Sequence, residues 1–133
     1  NVIILGEVLP QNLKKYYSAC DIFLMPSEKM PSDGLNVVVV EAMSCGRPIV
    51  ASSAGGNDLV VFDGYNGKIH KPGNIKDLTF KLIDLIKRKS QLVKMGKNSR
   101  RLVEDHFNWD AISTYYLSRY DYIKTRGKKK SQN

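Results

Sequence analysis

Two carboxylates near the middle of the chain, Asp33 and Glu41, are separated by seven residues that include a glycine and four valines. A carboxylate in so apolar a surrounding needs a partner, because an unpaired buried charge is costly. If a helix starts near Leu35 or Asn36, its first N–H groups can meet an anion, and Gly34 lets a ligand approach closely. One carboxylate can accept both hydroxyls of a ribose, and the other can accept hydroxyls of a sugar. The pattern therefore suits a nucleoside diphosphate sugar.

The residues leave the conformation of the segment from Asn36 to Met43 open. Four consecutive valines disfavour a helix and favour a strand. Gly46 followed by Pro48, however, is typical of the end of a helix. Local propensity alone favours the strand.

Short apolar runs in the first half of the chain alternate with segments long enough for helices, beginning with a helical pattern from Pro10. This alternation is typical of a parallel sheet with right-handed crossovers. We therefore expect an α/β fold in which a short parallel sheet is flanked by helices. The expected strands are Val2–Leu5, Ile22–Met25, Pro48–Ala51 and Lys68–Ile69.

The second half of the chain predicts three C-terminal helices, because apolar residues recur there at helical spacing. They lie around Ile75–Ile86, Leu92–Val103 and Trp109–Ile123. Residues 124–133 are basic and polar, so we expect a body over residues 1–123 followed by a disordered basic tail. We also expect the chain to be a piece of a longer enzyme, because it enters an apolar run directly after Asn1, and to be inactive in sugar transfer by itself.

The distribution of charge along the chain argues against a nucleic-acid-binding protein. The formal charge of +8 includes five cations in residues 124–133, which leaves 16 basic against 13 acidic residues in the body. We therefore expect no nucleic-acid binding; if the chain did bind nucleic acid, those five cations would be the residues responsible.

Cys20 and Cys45 have small or apolar neighbours and predict buried free thiols, which fit a reducing, cytoplasmic compartment. His70 and His106 are expected to have no catalytic role, with His70 exposed.

The ordered motifs of the chain resemble the donor-binding half of the retaining glycosyltransferases called group 1 or family 4. The resemblance extends over nearly the whole chain up to the basic tail, and it implies a Rossmann-like domain, of which this chain is the C-terminal part. It also favours a helix over residues 36–45, with Glu41 facing the ends of the parallel strands. The motifs that carry it are Gly6, Tyr16 to Asp21, Pro26-Ser27, the pair Asp33 and Glu41, Ala42 to Pro48, Gly55-Gly56, Asp63 to Gly67 and Phe107 to Trp109.

The resemblance implies roles for the residues of the central motif. Glu41 would hold the ribose hydroxyls, and Asp33, the catalytic candidate, would hold the transferred sugar. The backbone from Gly34 through Leu35 and Asn36 to Val37 would bind the sugar and phosphate side of the donor. Two departures from the family pattern are an Asp in place of the first Glu, and Leu59 where the family has a Glu, with Asp58 one place earlier.

The expected reaction is transfer of a hexose from a nucleoside diphosphate sugar to a glycan or a lipid-linked acceptor, without a cofactor or a metal. The basic tail adds an expected peripheral contact with anionic membranes. The alternative is a non-catalytic nucleotide-sugar-binding or interaction module that keeps the fold, and the Asp at position 33 favours it.

Overall fold

The computed structural model describes residues 2–28 and 34–130, with side chains described through residue 125. Its parallel sheet has the order β1-β2-β3, with Leu24 beside Val50 and Val50 beside Lys68. The fold is α/β, with helices on both faces of this short sheet, as the sequence predicts. The elements are α1 (Pro10–Ala19), β1 (Phe23–Met25), α2 (Val37–Ser44), β2 (Ile49–Ser52), a short 3₁₀ turn (Asn57–Leu59), β3 (Gly67–His70), α3 (Ile75–Lys87), α4 (Lys89–His106) and α5 (Trp109–Lys130).

Two apolar clusters hold the helices to opposite faces of the sheet. On one face, α2 buries Val39, Ala42 and Met43 against β1 and β2, and the C-terminal part of α4 closes this cluster. On the other face, Val50 packs beneath Leu85 of α3. Side chains alternate between the two faces of a strand, so β2 supplies both clusters and all four of its residues are buried.

The valine run is helical, as the resemblance implies and local propensity does not. Each β-branched residue costs only a few tenths of a kcal/mol in a helix, whereas burying one large apolar side chain stabilises by about 1.5 to 3 kcal/mol. The burial of Val39 and Met43 therefore outweighs the propensity of all four valines. The helix ends at Ser44, and two residues later Gly46, with a positive φ of 68° and an N–H that donates to the Met43 carbonyl, forms the expected terminus.

Residues 2–5 do not form the expected strand. Val2, Ile3 and Ile4 are each more than 80% exposed and have no strand partner among the described residues. A parallel strand is stable only beside a neighbour that satisfies its backbone groups. An apolar run therefore indicates a strand only where such a neighbour exists.

The helix α5 continues past residue 123 through Lys130, so residues 124–130 are helical where the sequence predicts disorder. Lysine and arginine are good helix formers, so a basic segment that directly follows a helix can extend it. Residues 131–133 lie outside the described residues. Trp109, Tyr116 and Ile123, which belong to the apolar pattern that predicts this helix, are exposed in the described chain.

His70 is buried rather than exposed. It lies opposite Ser52 in the β2–β3 ladder and keeps only 3% of its surface accessible. Its Nδ1 atom lies 3.0 Å from the Lys71 carbonyl, so Nδ1 carries the proton in the neutral ring. A histidine within a short strand is buried with the rest of that strand. The polar residues that follow His70 in the sequence suggest an exposed loop instead.

Candidate functional site

The loop before α2 is held in place by two asparagines. Asn36 caps the helix in an extended conformation, and its Nδ2 donates to Oδ1 of Asn57 at 2.9 Å. Asn57 is fully buried and donates in turn to the Ser52 carbonyl at 3.0 Å. The first turn of α2 is thereby tied to the carboxyl end of β2. Because the first N–H groups of a helix lack intrahelical partners, this end of α2 is suited to an anion.

Gly34 and the Gly55-Gly56 pair shape the same loop. Gly34 has a φ of 96°, and a Cβ placed on it would meet open space. Gly56 has a φ of 65°, and its Cβ would lie 3.4 Å from the backbone nitrogen of Leu35. The Gly-Gly element therefore packs against the loop before α2 as a tight turn. Asp33, the sequence-predicted sugar contact, lies outside the described residues.

Glu41 lies in the second turn of α2, and its carboxylate meets α1. The hydroxyl of Tyr17 donates to its Oε2 at 2.8 Å, and the Tyr17 ring packs edge-on against Phe23 at 5.6 Å. Burial, followed by the hydrogen bond and the charge of Glu41, raises the pKa of Tyr17 to about 12. Tyr17 therefore stays protonated and remains a donor at neutral pH. The described contact of Glu41 is with α1 rather than with the ends of the strands.

A groove of about 670 Å³ runs between α1 and α2, and we call it the α1–α2 groove. It is within the size range of small-ligand sites. Among the described residues, Glu41 is the only acidic one that lines it, and the cations Lys14 and Arg100 line the same groove. The lining residues are Pro10, Leu13, Lys14, Tyr17, Ser18, Glu41, Ser44, Cys45, Gly46 and Arg100.

Glu41 lies on α2, directly after the glycine loop, as the motif predicts. Two side chains that position this segment, Tyr17 and Asn57, were not predicted from the sequence. Tyr17 is 24 residues from Glu41, and Asn57 is 21 residues from Asn36. In the sequence, Tyr17 is a tyrosine at the end of a predicted helix and Asn57 is an asparagine after Gly-Gly. Neither position indicates which residue the side chain hydrogen-bonds. Within the described residues, 2–28 and 34–130, no three His, Cys, Asp or Glu side chains converge as metal ligands. No helix there is long and apolar enough to cross a bilayer.

Curated relatives match most of this chain. Spore coat protein SA of Bacillus subtilis is 33% identical over 91% of the chain, and the sulfoquinovosyl transferase SQD2 of Arabidopsis thaliana is 36% identical over 84% of it. The chain spans only 32% and 22% of those two proteins. It thus corresponds to less than a third of each.

Solved structures share the fold. Sucrose-phosphate synthase of Thermosynechococcus elongatus superposes with a TM-score of 0.78 over 92% of the chain at 29% identity, and this chain covers 30% of it. HepE of Anabaena, in complex with UDP, gives a TM-score of 0.74 over 81% of the chain at 26% identity, with 29% of HepE covered. The family model for group 1 glycosyl transferases matches residues 1–102. The chain therefore belongs to the group 1 glycosyltransferase family.

Proposed function

We propose that this chain supplies the donor-nucleotide surface of a retaining hexosyltransferase, with the nucleoside lying in the α1–α2 groove. The observation that carries the proposal is the half-buried carboxylate of Glu41 in that groove. Only one of its oxygens has a described hydrogen bond, and a carboxylate offers about four acceptor sites, so it can still take the hydroxyls of a ribose. The complex of the related HepE with UDP supports a nucleotide ligand.

In this proposal the diphosphate lies toward the first turn of α2. The N–H groups of Asn36 and Val37 and the positive end of the helix dipole favour a negative charge there. Gly34 leaves open space where the donor approaches the backbone. Asp33 is proposed to contact the transferred sugar, and the acceptor is proposed to be a glycan or a lipid-linked sugar. Positioning and charge stabilisation are the main contributions expected from such a site.

Thiol reactivity tests where the nucleotide binds, because Cys45 lines the α1–α2 groove and Cys20 does not. In a Cys20→Ser variant, UDP should slow alkylation of Cys45 by iodoacetamide. A ligand that covers the thiol reduces the reactive fraction, so the rate should fall about tenfold at ten times the Kd. The rate of alkylation is followed by mass spectrometry, with the Kd taken from an NMR titration.

The matched control is Cys45→Ser, which leaves Cys20 as the only thiol. Cys20 donates to the Tyr17 carbonyl at 3.3 Å, and burial raises the pKa of this thiol, so its alkylation should be slow and independent of UDP. Cys45 that reacts at the same rate in saturating UDP would place the nucleotide outside the groove.

The second part of the proposal is a peripheral membrane contact through residues 124–133. Five of these residues are cations, and each is worth about 1 kcal/mol near an anionic surface. The full chain should sediment with phosphatidylserine vesicles at low salt and be released at high salt. A chain ending at residue 123 should stay in the supernatant. Equal sedimentation of both forms would remove the tail from the proposal.

A further inference from the structure

Tyr17 is the one residue whose side chain hydrogen-bonds the Glu41 carboxylate within the described parts of the chain. It lies in the last turn of α1, a helix that has no fully buried residue. Its partner lies on α2, so this bond joins the two walls of the α1–α2 groove. This hydrogen bond therefore affects both the orientation of the Glu41 carboxylate and the distance between the two walls of the groove.

The surroundings of Tyr17 restrict its motion. The ring packs edge-on against Phe23, the first residue of β1, at an interplanar angle of 69°. The backbone carbonyl of Tyr17 accepts a hydrogen bond from the thiol of Cys20, the residue that caps the end of α1. The Tyr16 carbonyl accepts a hydrogen bond from the backbone N–H of the same cysteine. An aromatic ring has only two side-chain torsions, and the contact with Phe23 restricts the positions that this ring can take. The Tyr17 hydroxyl is consequently held close to the Glu41 carboxylate.

We propose that Tyr17 is a positioning residue that fixes the Glu41 carboxylate so that Oε1 is presented to a ribose hydroxyl. The inference rests on the proposed function, in which the groove takes the nucleoside. A free glutamate side chain must be immobilised when it binds, at a cost of about 0.5 to 1.5 kcal/mol. With Oε2 already held by Tyr17, most of this cost is met before the nucleotide arrives.

Two probes isolate this contribution: UDP, and 2′,3′-dideoxyuridine 5′-diphosphate, which lacks both ribose hydroxyls. Both are titrated into the chain by NMR. The wild-type chain should prefer UDP. Tyr17→Phe should weaken UDP binding about 2- to 10-fold, the range that corresponds to the immobilisation cost. The affinity for the dideoxy probe should be unchanged, because that probe does not use the carboxylate.

Tyr16→Phe is the matched control, because Tyr16 is the neighbouring tyrosine, is 45% exposed and does not line the groove. It should leave both affinities unchanged. If Tyr17→Phe weakens both probes equally, Tyr17 acts only through packing and the inference is wrong. If Tyr17→Phe keeps the full preference for UDP, the inference is wrong while the proposed function stands. A wild-type chain that binds both probes equally overturns the ribose role of Glu41 and the inference with it.

Discussion

Replacing Glu41 by alanine should weaken UDP binding by about 10- to 150-fold. A hydrogen bond to a charged group is worth about 1.5 to 3 kcal/mol, and within the part of the chain that the structure describes no other acidic group lines the α1–α2 groove. Glu41→Gln should retain part of the affinity, because the amide oxygen still accepts from Tyr17 and from one hydroxyl. Both constants are measured by NMR titration of the chain.

The control for Glu41 is Asp84→Ala, which removes a carboxylate on α3 that pairs with Arg88 and does not line the groove. It changes the net charge of the chain by the same amount and should leave the Kd for UDP unchanged. A folded Glu41→Ala chain that binds UDP as tightly as the wild type would mean that Glu41 only anchors α1 through Tyr17. The ribose would then need another partner.

Gly96→Ala should destabilise the chain by about 3 kcal/mol, although alanine is the better helix former by about 1 kcal/mol. A Cβ on Gly96 would lie 2.2 Å from the carbonyl oxygen of Gly46 and 3.3 Å from its carbon. These are backbone atoms at the end of α2, so relief requires α4 to move away from α2. Urea unfolding of the two chains, followed by circular dichroism, gives the difference in the free energy of unfolding.

The neighbouring substitution Lys97→Ala supplies the comparison, since Lys97 is exposed on the same turn of α4. It should change the free energy of unfolding by less than about 0.5 kcal/mol. A Gly96→Ala chain as stable as the wild type, or more stable, would show that α4 does not pack this closely on Gly46. The packing described for the α2 face of the sheet would then be incorrect.

The parallel sheet, α3 and α4 could be predicted from the sequence because their apolar spacing reflects burial against one another. The helix α5 shares the helical spacing, although Trp109, Tyr116 and Ile123 stay exposed. The valine run of α2 could not be assigned from local propensity, since burial of Val39 and Met43 decides its conformation and that burial depends on β1, β2 and α4. The same reason explains Val2–Leu5, where an apolar run without a neighbouring strand among the described residues stays exposed and outside the sheet.

The candidate site was predicted in part. The position of Glu41 on a helix and the glycine loop before it follow from the motif that the chain shares with its family. Tyr17 and Asn57 do not, because each acts through a partner more than 20 residues away and has no spacing that identifies it. The burial of His70 was missed because polar residues after it resemble a surface loop, whereas its strand pairs with β2.

A crystal structure of the chain with UDP tests the central claim most directly. We predict that the nucleoside lies in the α1–α2 groove, with at least one ribose hydroxyl within about 3.2 Å of a Glu41 carboxylate oxygen. We also predict that the diphosphate lies toward the first turn of α2. UDP bound outside this groove, or bound in it with the ribose turned away from Glu41, would contradict the account.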